Sequence, residues 1–276
     1  MYNSLSWQRF AGALPPRPAG PTSLVRAWVD GWVVSRATAD PVAEPWGWSI
    51  AVGVPDQVTR HVVPSGNEQI VRALAEAVAV PGQCLKVSLP DVAVTVDRLG
   101  AAQEMVGAWL GAAGTGWSPA LPGVLMALPL MCASAPAAPV GYRQRTWVRA
   151  DVVHTLVTTA GGAFAARGQL GLCGRIAVAD QILTDPAHRR RGLGSLVMRT
   201  LQAAGYRLGA RTGLLDATLA GRRLYESLGW QACCAMATLT RGGSSGTCGG
   251  GWPVREPAAA VRAGLRTASA GREPVD

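Results

Sequence analysis

The residues best suited to chemistry in this chain lie in one run, Arg189-Arg190-Arg191-Gly192-Leu193-Gly194-Ser195. Apolar residues ahead of it follow a strand pattern, and Leu196, Val197, Met198, Leu201 and Ala204 behind it recur as one helix face. A strand enters the turn and a helix leaves it. The first N–H groups of a helix have no intrahelical acceptor, and the helix dipole adds positive potential there. Gly192 and Gly194 let a bulky anion approach the backbone, and arginines add charge-assisted bonds to phosphate oxygens. Together these features point to a pyrophosphate site. Two common phosphate loops are excluded. No Lys follows the glycines, and position 197 is Val where a dinucleotide fingerprint needs a third Gly.

Arg189-x-x-Gly192-x-Gly194 resembles the coenzyme A motif (Gln/Arg)-x-x-Gly-x-(Gly/Ala) of the GNAT superfamily of N-acetyltransferases. Leu224-Tyr225-Glu226-Ser227-Leu228-Gly229-Trp230 resembles a late motif of the same family, and Ile176–Asp185 looks like its splayed fourth strand. The likeness spans about residues 142–240. It implies acetyl-CoA as co-substrate, no metal, and direct acetyl transfer to an amine, with a small-molecule acceptor expected. The backbone of Ile182, Leu183 and Thr184 is expected to meet the pantetheine amides. The amides of Arg190, Arg191, Gly192, Leu193, Gly194 and Ser195 would hold the pyrophosphate, with the Arg189 side chain nearby. Thr218 stands where the family commonly has Asn beside the cofactor, and Gly221 where it often has Ala.

The resemblance places Tyr225 where family members carry the tyrosine that protonates the leaving thiolate. A phenol can supply that proton. A core tyrosine with its hydroxyl satisfied elsewhere is the other reading. For the base that takes a proton from the amine, the implied position is Asp180, near the centre of the fourth strand. The alternative for Asp180 is a strand carboxylate paired with an arginine. Asp185 suits a cap before Pro186, His188 a structural or anion-binding role, and His154 is a further base candidate. No Ser/His/Asp set or activated cysteine is evident, which fits transfer without a covalent enzyme intermediate. A second reading stays open, that of a non-catalytic acyl-CoA-binding or regulatory module.

The elements that must position these residues are legible in the patterning. Thr22 or Ser23 can start a helix through Leu24, Trp28, Val29 and Trp32. Strands are expected at 48–52, 60–63, 85–89 and 124–130, and a helix at 67–79 with Ile70, Leu74, Ala77 and Val78 inward. In the second half, residues 142–148 and 152–158 read as a hairpin, followed by strands at 163–172 and 176–184. A strand at 212–215, a helix at 220–227 and a strand at 231–240 complete that half. Cys233 and Cys234, adjacent on the last strand, should face opposite sides. The implied fold class is α+β with a mixed sheet. Residues 1–21 form an irregular segment, 22–130 a smaller, divergent and possibly GNAT-like domain, 131–141 a linker, 142–240 the GNAT domain and 241–276 a flexible tail.

The 276 residues are 49% hydrophobic and 16% charged, which rules out a chain too polar to bury a core. Charge is unevenly placed. Residues 1–140 are near neutral, while residues 141–240 hold thirteen arginines against five acids. This fits a polyanionic cofactor; no aromatic-interleaved basic stripe supports nucleic acid. Residues 105–142 carry no charge but contain five prolines, which excludes a spanning helix there. The first twenty residues do not read as a secretory signal, and the six cysteines show no zinc spacing. A reducing cytoplasm is the expected compartment. The tryptophans of the first half, among them Trp28, Trp32, Trp46 and Trp48, suit either core packing or an acceptor pocket.

Overall fold

A computed structural model describes residues 21–78, 80–110 and 116–242. The segment 1–20, most of the 241–276 tail and Cys248 lie outside the described residues. The first half contains α1 (Pro21–Arg36), β1 (Val42–Glu44), β2 (Gly47–Val54), β3 (Gln57–Val63), α2 (Glu68–Ala77), β4 (Gln83–Leu89), α3 (Val96–Trp109), β5 (Trp117–Pro119) and β6 (Gly123–Pro129). The second contains β7 (Tyr142–Arg149), β8 (Val152–Thr159), β9 (Phe164–Cys173), β10 (Ile176–Thr184), α4 (Leu193–Arg207), β11 (Thr212–Thr218), α5 (Leu219–Ser227) and β12 (Gln231–Arg241). A short 3₁₀ turn at Pro186–His188 precedes α4.

Strand alternation explains the sheet. Val153, Thr155 and Val157 of β8 are buried, while His154, Leu156 and Thr158 between them stay partly open. The β7–β8 turn at Ala150 and Asp151 takes φ +45° and +61°, the paired left-handed geometry that matches the twist of a hairpin. All described strands join one sheet in the order β1-β2-β3-β4-β12-β6-β11-β10-β9-β8-β7, with β5 on β12. The sheet continues from one half into the other, because β12 pairs with β4 and β6 lies between β12 and β11.

The sheet is covered unevenly. On one face, α2, α3 and α4 pack over a core that includes Leu85, Leu99, Met126, Leu170, Met198 and Leu201. On the other, α1 lays Leu24, Val25, Trp28, Val29, Trp32 and Val33 over Ile50, Val62, Leu125, Val178 and Leu214. Burying each such side chain contributes about 1.5–3 kcal/mol. Helix and strands meet through glycine: a Cβ on Gly31 would lie 2.3 Å from Val178 Cγ2, and one on Gly171 would lie 2.3 Å from the Gly31 carbonyl oxygen. Trp28, Trp32 and Trp48 are therefore core residues, and Trp46, Trp109 and Trp117 pack against core.

The short strands β1 and β5 were not expected, and three further elements differ from the sequence reading. α3 was not expected, because Gly100 and Gly107 weaken its helical pattern. The inward face of α2 includes Ile70, Leu74 and Val78 as expected and also Val71 and Ala75, while Ala77 is exposed. In β12 a bulge between Ala232 and Cys234 breaks the alternation, so both cysteines pack on the α1 side. Among the described residues no helix is long and apolar enough to cross a membrane.

Candidate functional site

The turn before α4 is built by backbone geometry. The Asp185 carboxylate accepts from the Ala187 N–H at 2.8 Å and caps the 3₁₀ turn. Arg189 is then extended, Arg190 sits at φ +62°, and Gly192 at φ +76° is the N-cap of α4 with no capping side chain. The first amides of α4 are left for an outside acceptor. Leu193 is in the core, so only its backbone can serve an anion. Gly194 and Ser195 are half-buried in the first turn, and Arg189, Arg190 and Arg191 are exposed. One arginine is tethered: Arg191 Nη1 donates to the Tyr142 hydroxyl at 3.0 Å, and that hydroxyl lies 3.0 Å from His188 Nδ1. The Tyr142 hydroxyl thus links Arg191 and His188, and its donor or acceptor role toward Nδ1 follows the imidazole tautomer. Tyr142 was not foreseen as part of this turn, because nothing in its local pattern shows a partner 49 residues away.

The other wall is a parted pair of strands. β10 and β11 run parallel but pair only from Ile176–Thr212 to Val178–Leu214. β10 stays on β9 as far as Thr184, across a bulge between Asp180 and Leu183 where Gln181 takes φ +53°. From Ala179 on, one edge of β10 has no strand partner among the described residues. Its N–H and C=O groups can pair with an extended ligand, and Ile182, Leu183 and Thr184 lie on this stretch. Ile182 turns its side chain into the core, and Leu183 is exposed on the opposite face.

The first half repeats this strand–helix–strand unit without the opening. β3 and β4 are parallel and stay paired from Thr59–Gln83 to Val63–Val87. At the start of α2 the Asn67 side chain accepts from the Ile70 N–H at 3.1 Å, filling the place an anion would take.

Tyr225 on α5 is half-buried against the core, in edge contact with Trp230 at 6.3 Å between ring centroids. Burial, and next the charges of Asp180 and Asp216, push its phenol far above the usual range, so it holds its proton at any physiological pH. Asp180 is clamped. Arg36 of α1 donates to it from Nε and, at 3.0 Å, from Nη2, and the Ser35 hydroxyl lies 3.3 Å from Oδ2. One lone-pair site remains, on Oδ1. Asp216 of β11 is paired with Lys86 of β4 at 2.5 Å. Thr218 caps α5, accepting from the Gly221 N–H at 3.2 Å, and keeps its hydroxyl proton to donate. His154 stacks on Trp147 at 5.2 Å, two strands from β10, and burial and then Arg149 lower its pKa. Arg36, Lys86 and Asp216 were absent from the sequence reading. Only tertiary packing brings them in: α1 lies over β10, and Lys86 of β4 reaches Asp216 although β12 and β6 stand between β4 and β11.

Residues 143–232 match the family model described as "Acetyltransferase (GNAT) domain". The match is to a GNAT domain and covers about a third of the chain. A solved structure of a GCN5-related N-acetyltransferase from Kribbella flavida is 17% identical, covers 83% of this chain and 98% of its own, and overlays with a TM-score of 0.55. The overlay is a likeness of fold, and it takes in the N-terminal half as well as the GNAT domain. An acetyltransferase from the GNAT family of Novosphingobium aromaticivorans is 16% identical, over 79% of this chain and 98% of its own, at TM-score 0.48. A tandem GNAT protein from the clavulanic acid biosynthesis pathway is 18% identical, over 63% of this chain and 68% of its own, at TM-score 0.44. No curated protein matches the chain.

Proposed function

We propose that the protein is an acetyl-CoA-dependent N-acetyltransferase whose GNAT domain carries the reaction and whose N-terminal half supplies α1 and β4 as supports. The observation that carries this reading is the open turn at Gly192 set beside the parted edge of β10. Anionic pyrophosphate suits the free amides of α4 and the arginines at 189–191. The pantetheine arm suits the unpaired edge at Ile182, Leu183 and Thr184, with the Thr218 hydroxyl as a further donor. Asp180 accepts a proton from the incoming amine through its remaining lone pair on Oδ1. The amine nitrogen bonds to the acetyl carbon and the carbon–sulfur bond breaks. Tyr225 gives the leaving sulfur its proton and regains one from solvent. Free cysteines among the described residues suit a reducing compartment such as the cytoplasm.

The clamp on Asp180 favours one competing reading, a module that binds acyl-CoA without turnover. The two are separated by acetyl-CoA turnover against a library of amines. Product that falls about 10- to 100-fold in Tyr225→Phe, with acetyl-CoA affinity unchanged, supports catalysis. Tight acetyl-CoA binding with no product from any amine supports the binding module.

A further inference from the structure

The face of the second half opposite α4 is only partly covered. α1 reaches β9 and β10 and ends at Arg36, and among the described residues nothing packs on the rest of β7, β8 and β9 on that side. Strand alternation sends Gln144 to α4, where it bonds Thr200, and sends Arg143, Arg145, Trp147 and Arg149 to the bare side. The pairing Arg145–Leu156–Arg167–Leu183 forms a cross-strand row that runs from the edge strand to the bulge in β10. With strands about 4.8 Å apart, Arg167 stands roughly 5 Å and Arg145 roughly 14 Å from β10.

The charge on this face is unbalanced. Asp180 is the lone acid within β7–β10, and Arg36 already neutralises it. Arg143, Arg145, Arg149 and Arg167 make no ion pair among the described residues, whose ion pairs use other bases. Arg167 is half-buried beside the bulge. It donates from Nη2 to Gln181 at 3.1 Å, while its Nε is buried with no partner among the described residues. A buried guanidinium donor left open next to the parted strands calls for an oxyanion. Apolar surface at Trp147 and Leu183 flanks the row.

We infer that the acceptor is a small amine that also carries a carboxylate or phosphate, with its anion held by Arg167 and Arg145 and its nitrogen beside Asp180. This rests on the acetyltransferase reading and names its substrate class. Carboxylate and phosphate share the chemistry that a guanidinium fork recognises.

Matched pairs test it: L-phenylalanine against phenethylamine, and O-phosphoethanolamine against ethanolamine. Each is titrated calorimetrically into the full chain saturated with coenzyme A, and each is assayed for acetylation. The anion-bearing member of at least one pair should bind and turn over about 10- to 100-fold better, and the pair that does so identifies the anion. Arg145→Gln with Arg167→Gln should shrink that preference to about threefold or less, leave coenzyme A affinity unchanged, and so report an intact fold. Arg167→Lys should retain a large part of the preference. Raising the salt concentration should weaken it. Coenzyme A bound normally with no preference in either pair, or a preference that survives the double substitution, overturns the inference. Absence of coenzyme A binding removes the acetyltransferase reading and this inference with it; the coenzyme A titration tells the two failures apart.

Discussion

In the proposed reaction Tyr225 and Asp180 divide two proton transfers between a phenol that burial holds protonated and a carboxylate paired with the Arg36 guanidinium. Because burial holds the Tyr225 proton, the pH–rate profile should show no alkaline loss from this group below about pH 10; an alkaline limb near neutrality that vanishes in Tyr225→Phe would count against its role as acid. The tyrosine and the Arg-x-x-Gly-x-Gly turn could be proposed from the sequence because each rests on local spacing. The clamp on Asp180 was not, because Arg36 lies 144 residues away and its helix shows only an apolar stripe. The sequence left two readings of Asp180 open, base and ion-pair partner. The structure shows the pairing, and the base role stays a proposal that needs the remaining lone pair on Oδ1.

Among the elements, the two parallel strand–helix–strand units differ in what fills the helix N-terminus. Asn67 closes α2, whereas Gly192 leaves α4 open. The β10–α4 connection is further ordered by the β7 residue Tyr142, which holds Arg191 and His188. Tyr142→Phe should free the Arg191 side chain and raise KM for acetyl-CoA about two- to fivefold with little change in kcat, measured by steady-state kinetics. An unchanged KM would show that Arg191 does not need the tether. The strands and helices of the second half were readable nearly to the residue, since period-two alternation and turn residues dominate there. α3 escaped notice because two glycines dilute its propensity and burial against β12 supplies the missing stability.

Over the whole molecule, α1 ties the halves together by packing on β2, β3, β10 and β11 and by clamping Asp180. Arg36→Met leaves that carboxylate mostly buried without its partner. It should cost about 2–4 kcal/mol, seen as a lower midpoint in urea unfolding, and an unshifted midpoint would show that Ser35 alone suffices. His61 adds a pH dependence. Burial lowers its pKa from the ordinary 6.5, against a smaller opposing effect of its bond to Gln83. Below pH 6.5 the unfolded chain therefore binds more protons than the folded one, and stability falls as the pH drops from 6.5 towards the folded pKa. Thermal unfolding should show Tm declining over this window and a flatter profile in His61→Gln. How the halves join was not readable, because the pairings of β12 with β4 and of β6 with β11 are contacts between distant segments.

Calorimetric titration of acetyl-CoA into the full chain bears most directly on the open turn at Gly192. One molecule should bind per chain, Gly192→Glu with Arg190→Glu should weaken binding at least 100-fold, and Asn67→Ala should leave it unchanged. Binding that survives the Gly192 and Arg190 substitutions, or two molecules bound per chain, would contradict the assignment.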